Sequence, residues 1–147
     1  MFRGLNSYAS RKLHKVKIDE LDLEHIGLTL DKDYTFTIPP LNEEVEEISI
    51  PGRDSTYTKH IRWLDRTFSI TFNIGNVKQY QSFLIKLMKI LEESKGKLIK
   101  INEETIGLKL KRFSIDSQNR GIESNDITIN FICYPFMYDN EGNEYKI

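Results

Sequence analysis

Apolar residues recur at every second position along most of this chain, so the sequence reads first as a series of strands. The cleanest run is 67–74 (TFSITFNI), where Phe68, Ile70, Phe72 and Ile74 face one way and Thr67, Ser69, Thr71 and Asn73 the other. Successive side chains leave a pleated backbone on opposite faces, and such a run predicts a half-buried antiparallel strand. Residues 126–134 (DITINFICY) repeat the pattern with Ile127, Ile129, Phe131 and Cys133 inward. Residues 105–113 (TIGLKLKRF) put Ile106, Leu108 and Leu110 inward and Lys109 and Lys111 toward water. Shorter strands are expected at 12–18, with Leu13, Val16 and Ile18 inward, at 45–50, and at 97–102. The runs 25–30 (HIGLTL) and 33–38 (DYTFTI) flank Asp31-Lys32 and predict a hairpin, with Tyr34, Phe36 and Ile38 on one face. Pro39-Pro40 and Pro51-Gly52 interrupt pairing, because a proline nitrogen cannot donate. Over 55–63 (STYTKHIRW), Tyr57, Lys59, Ile61 and Trp63 fall on one side and Thr56, Thr58, His60 and Arg62 on the other. The stretch 114–125 reads as turn-rich, and 139–147 as a polar, frayed tail.

One segment has a helical period. Val77, Tyr80, Leu84, Leu87, Met88 and Leu91 are spaced three or four apart, with Phe83 widening the stripe. Asn76 as N-cap and Gly96 past the C-terminus bracket a helix over about 77–95, with Lys86, Lys89, Lys95 and Lys97 toward its negative end. Its stripe is a docking face onto a sheet. Eight or nine strands with one helix predict an α+β, mainly β fold: an antiparallel β-sandwich or barrel closed on one face by the helix. With 147 residues and no internal repeat or linker, 13–138 reads as one domain between a basic arm (1–12) and the polar tail (139–147).

Charge changes the picture by its distribution. The net charge of −1 removes a global electrostatic case for nucleic-acid or membrane-surface binding. Residues 1–18 nevertheless carry five positive charges and no acid, whereas 19–47 carry ten acids against Lys32 alone. Residues 48–101 hold ten Lys or Arg against four acids. Two readings stand: ordinary solvated faces, or a basic patch on one copy meeting an acidic patch on the next.

Candidate chemistry is sparse. His14, His25 and His60 are far apart in sequence and read as surface or interface side chains rather than general bases. The single cysteine, Cys133, lies on an apolar strand face and reads as packing; it forms no internal disulfide, and one thiol with scattered histidines does not close a zinc site. The glycines are isolated, so no phosphate loop is present, and the acidic run 19–24 lacks calcium-loop spacing. No catalytic residue, metal or cofactor is expected. Tyr57, Lys59, His60, Arg62 and Trp63 interleave aromatic and basic groups, a short version of a single-stranded nucleic-acid face. No apolar run reaches the roughly 18–20 residues of a membrane span, and the basic start, with no apolar stretch after it, is not a secretory signal.

Taken in order, the runs Ile26 to Leu30, Asp33 to Pro39, Glu47 to Asp54 and Phe131 to Tyr138 resemble segments of the distal tail proteins of long-tailed bacteriophages. Glu47-Ile48-Ser49-Ile50-Pro51-Gly52-Arg53-Asp54 is similar to that family's "IPGRDG" element, although Ser55 stands where a second glycine is usual. Ile26 to Leu30 and Asp33 to Pro39 are similar to what precedes it, and Phe131-Ile132-Cys133-Tyr134-Pro135-Phe136-Met137-Tyr138 looks like the "F-x-C-x-P-x-x-Y" close of the N-terminal domain. The likeness covers about 13–138.

It implies a virion protein, assembled in the host bacterial cytoplasm, that forms a ring, hexameric in the family, between the tail tube and the baseplate hub or fibre. Such a ring lines a channel through which DNA passes without specific binding, and needs no membrane or cofactor. Many relatives continue into a galectin-like domain with binding modules; the chain stops soon after Tyr138, so adhesion is not carried over. The tail-tube or baseplate subunit of a contractile particle shares the fold and is an alternative. A small β-barrel binding nucleic acid or carbohydrate is the reading from another class.

For the subunit contact we expect Arg53, Asp54, Tyr57, Lys59, Ile61, Arg62 and Trp63 on an extended arm over 51–66, with Arg11 and Lys12 opposite Glu43, Glu44, Glu46 and Glu47. Its competitor is that Trp63 and Ile61 pack only within their own domain.

Overall fold

The longest alternating runs pair with each other. In the computed structural model, which describes residues 15–30, 36–75, 78–102, 104–120 and 125–147, the strands are β1 (Val16–Ile18), β2 (Leu21–Asp22), β3 (Thr29–Leu30), β4 (Glu43–Ser49), β5 (Thr56–Trp63), β6 (Arg66–Asn73), β7 (Leu98–Ile101), β8 (Ile106–Arg120), β9 (Asn125–Asp139) and β10 (Glu144–Tyr145). One α-helix, α1 (Tyr80–Glu93), precedes β7. Eight strands make one antiparallel sheet, ordered β2-β1-β7-β8-β9-β6-β3 with β10 added along β9; β4 and β5 form a separate two-stranded sheet. The fold is α+β and mainly β, and the sheet stays open rather than closing into a barrel.

Register explains the core. Opposite Phe68, Ile70 and Phe72 on β6 stand Phe131, Ile129 and Ile127 on β9, so each pair shares a face. The Phe68 and Phe131 rings stack at 5.3 Å, and Phe36 meets Phe68 edge-on at 5.5 Å. Tyr80, Leu87 and Leu91 of α1 join this core, with Phe83 and Leu84 packed against it. Hydroxyl and amide groups occupy the other face: Thr71 and Thr128 hydrogen-bond at 2.9 Å, and the Ser69 hydroxyl donates to Asn130 at 3.1 Å.

Several expectations are corrected. Residues 25–30 are not one strand. The Asp22 carboxylate accepts from the Glu24 amide at 3.0 Å and starts a 3-10 turn over Leu23–Ile26, which Gly27 ends at φ 97°, leaving only β3 extended. β3 pairs with β6 rather than with 33–38; residues 36–38 carry no strand, Ile38 is exposed, and 31–35 lie outside the described residues. The helix is shorter than predicted, beginning at Tyr80 without a side-chain cap and ending at Glu93; Asn76 and Val77 lie outside the described residues. Met88 is 45% exposed and off the buried stripe. Val16 and Ile18 are buried as expected, and Leu13 lies outside the described residues.

The turn-rich reading of 114–125 is overturned over 114–120, because β8 runs to Arg120, held by β9 through the pair Arg120↔Asn125, whereas 121–124 lie outside the described residues. Nor is the tail frayed. Asp139 accepts from the Glu141 and Asn143 amides at 2.9 Å each, from the Asn143 side chain at 3.0 Å and from the Tyr145 hydroxyl at 2.9 Å. This brings β10 onto β9, with Tyr145 opposite Met137.

The Asn143 side chain, with these other donors, holds the Asp139 carboxyl below its ordinary value. The turn is therefore held above the normal carboxylate range and loosens as pH falls through the depressed value. Asp139→Ala is expected to speed amide exchange at Glu144 and Tyr145 at neutral pH while leaving β6 protected, which exchange read residue by residue checks.

Candidate functional site: the β4–β5 hairpin and its base

Residues 43–63 form a two-stranded sheet of their own, apart from the main one. Proline blocks the entry at Pro39-Pro40, and a tight turn reverses the chain at the far end. The Arg53 amide donates to the Ile50 carbonyl at 3.1 Å across Pro51-Gly52, with Gly52 at φ 84°. Proline at the second turn position and a left-handed glycine at the third are the requirements of a type II turn. The Ile50–Asp54 run thus forms the tip of a hairpin whose two strands contact chiefly each other.

The hairpin's two faces differ from the simple alternation. Glu44 is opposite Arg62 but Val45 is opposite His60, so Ile61 is an extra residue and makes a bulge. Past the bulge the parity inverts: Trp63 lies on the face of His60, their rings 4.9 Å apart, and Arg62 joins the face of Tyr57 and Lys59. The indole then meets Phe136 of β9 at 5.8 Å, and Lys146 lies 5.4 Å from that same phenyl ring. Trp63 is consequently the hairpin's anchor on its own domain. Tyr57 and Ile61 stay 57% and 44% exposed.

The acidic residues of β4 are mostly engaged inside the hairpin. Glu43 pairs with His60, Arg62 Nε lies 2.5 Å from Glu44, and Glu47 accepts from Thr56 at 2.7 Å and Thr58 at 3.1 Å. Glu43, Glu44 and Glu47, expected opposite a neighbour's basic patch, thus each have a partner across their own ladder. Glu46, Arg53, Asp54 and Lys59 are exposed, and Arg11 and Lys12 lie outside the described residues.

At the base lies Arg66, the last residue of the expected 51–66 arm. Its parity with Phe68 and Ile70 was the available signal: β6 turns it inward, and it is 2% exposed. Its Nε donates to the Pro135 carbonyl at 2.7 Å, Nη1 to Pro39 at 3.1 Å, and Nη2 to the Ile147 carbonyl. Three separate segments are thereby tied to one guanidinium. Asp65 pairs with Lys111 at 2.7 Å, and the Leu64 amide donates to Asn42 at 2.9 Å. Together these contacts fix the direction in which the hairpin leaves the domain.

Opposite Arg66 in the β6–β9 register is Cys133, fully buried. Burial pushes its thiol up to about 12, Arg66 opposing and Asp65 adding to the shift. A thiol held neutral is a poor nucleophile. Alkylation by iodoacetamide at pH 8 is expected to be negligible in the folded protein and rapid in urea, which mass spectrometry checks.

A second feature is an apolar cleft of about 300 Å³ on the core side of the sheet, walled by Phe36, Ile38, Ile101, Ile106 and Ile147, with Glu104 among its lining residues. Among the described residues no three His, Cys, Asp or Glu side chains converge as a metal site. No helix among them is long and apolar enough to cross a membrane. His25 and His60 are both exposed, and His60 is engaged by Glu43. No protein-family model, curated protein or solved structure matches the chain.

Proposed function

We propose that this chain is a structural subunit of a bacteriophage tail tip, of the distal-tail type, that assembles with copies of itself into a ring joining the tail tube to the baseplate hub. It acts by shape and catalyses nothing. The observation that carries this reading is the β4–β5 hairpin, a two-stranded arm that leaves the main sheet with Tyr57 and Ile61 exposed. Two-stranded ribbons gain little stability alone, and exposed aromatic and β-branched side chains on one are more costly in water than in an interface. The "IPGRD" run on which the family resemblance rests forms the arm's tip. Rigid anchoring at Trp63 and Arg66 suits an arm that must meet a neighbour at a set angle.

Negative-stain imaging of the purified protein, and of the particles that carry it, tests the proposal. Single closed rings, and density at one tail tip, are expected. Stacked tubes would instead assign the chain to a tube or baseplate subunit. Isolated globules that shift on oligonucleotide or glycan would favour a binding module and reject the structural role.

A further inference from the structure

Among the apolar features of the described surface, one convex and one concave pair are complementary in charge as well as in shape, and the arm's rigidity keeps them apart within a single chain. The convex one is the exposed stretch of β5 bearing Tyr57, Lys59 and the bulged Ile61; the concave one is the cleft walled by Phe36, Ile38, Ile101, Ile106 and Ile147. Tyr57 is six residues beyond Trp63, which is fixed against Phe136 at the hairpin's base. An antiparallel strand rises about 3.4 Å per residue, so Tyr57 stands roughly 20 Å out along the arm. Pairing runs unbroken from Val45↔His60 to Ser49↔Thr56, so the arm does not fold back without losing its ladder.

Charge points the same way. Among the described residues neither Lys59, between Tyr57 and Ile61 on the convex face, nor Glu104, in the lining of the cleft, has an ion-pair partner. Lys59 is opposite Glu46 in the ladder, yet the two form no ion pair.

We infer that the cleft of one copy receives the Tyr57–Ile61 face of the hairpin from the next copy, with Lys59 of the arm meeting Glu104 of the cleft. The occupant is a second molecule of this chain. A cleft of about 300 Å³ admits a phenol ring and a branched aliphatic side chain but little more, which limits the contact to those two knobs. Donor and acceptor are different surfaces, so the contact is heterologous and repeats head to tail until the rotation closes. This inference rests on the ring proposal and adds the acceptor surface to it.

Charge exchange and cross-linking test it together. Lys59→Glu and Glu104→Lys change exposed side chains and leave the fold intact. Each alone is expected to raise the concentration needed for assembly at least tenfold, and the double variant K59E/E104K to restore it. Tyr57→Cys in one preparation and Ile38→Cys in another, mixed and oxidised, are expected to give a disulfide-linked pair that neither preparation gives by itself. Cross-linking absent while the wild type still assembles would overturn this acceptor and leave the ring reading standing, as would a double variant no better than the singles. A wild type that stays monomeric at every concentration would overturn both.

Discussion

Arg66→Ala is expected to destabilise the folded protein by about 3 kcal/mol, since removing a buried donor leaves its acceptors unsatisfied at roughly 1–3 kcal/mol each. The guanidinium serves the carbonyls of Pro39, Pro135 and Ile147, which belong to three segments distant in sequence. Burial lowers its pKa, opposed by the neighbouring Cys133, but guanidinium stays protonated at any ordinary pH, so this cost has no titration near neutrality. Arg66→Lys supplies a point charge without the planar fork and is expected to recover less than half of the loss. Urea unfolding monitored by tryptophan fluorescence reads both, because Trp63 is the only tryptophan and sits at the base that Arg66 ties down. A loss under 1 kcal/mol for the alanine variant would mean that the three bonds contribute little.

Gly107→Ala is expected to cost about 3 kcal/mol, the upper part of the range for overpacking a close-packed site. A methyl group on Gly107 would lie 2.5 Å from the Ile99 carbonyl oxygen and 2.8 Å from Lys100 Cγ. The first of these atoms is backbone, and it belongs to the strand that pairs with β8 directly beside this position, where Ile99 is opposite Leu108. Relief therefore requires β7 and β8 to move apart at a point where both are packed on the core through Ile99 and Leu108. At Gly52, Gly75, Gly96 and Gly142 nothing lies within 4 Å of the added atom. Their positive φ makes backbone strain the only cost there, and replacement by Ala is expected to cost about 1 kcal/mol. Thermal unfolding of Gly107→Ala against Gly142→Ala separates the steric effect from the conformational one. Equal losses would contradict the close approach of the two strands.

The legible part of the fold was the part governed by strict alternation. β6 and the first half of β9 are buried on the residues that their period selects, and α1 on most of its stripe. Periodicity failed where a single residue redirected the chain. Gly27 and the Asp22 cap turn HIGLTL into a 3-10 turn with a two-residue strand, and neither feature alters the apolar spacing. The bulge at Ile61 inverts Trp63, and nothing in STYTKHIRW marks an extra residue, because a bulge is defined by the partner strand. The far half of β8 was read as turn because SIDSQNR has few apolar residues; pairing with β9 extends it regardless of composition. Arg66 was hidden by its charge, although its parity with Phe68 was plain.

At the hairpin, the turn at Pro51-Gly52 and the exposure of Tyr57 and Ile61 could be read in advance. The pairing of Glu43 with His60 and of Glu44 with Arg62 could not, because it follows from register rather than from charge counts. Segregated charge along the chain proved compatible with local neutralisation across a ladder. That leaves Glu46, Arg53, Asp54 and Lys59 with the exposed apolar groups, rather than the whole acidic run, as the part of the arm available to another molecule.

Light scattering coupled to size exclusion, on the wild type and on a variant carrying Tyr57→Ser and Ile61→Ser together, tests the structural role most directly. Ring assembly through the hairpin predicts a closed species of several 17.3 kDa copies, and a folded monomer for the variant. A wild type that elutes as a monomer across the accessible range, or a variant that assembles as well as the wild type, would contradict it.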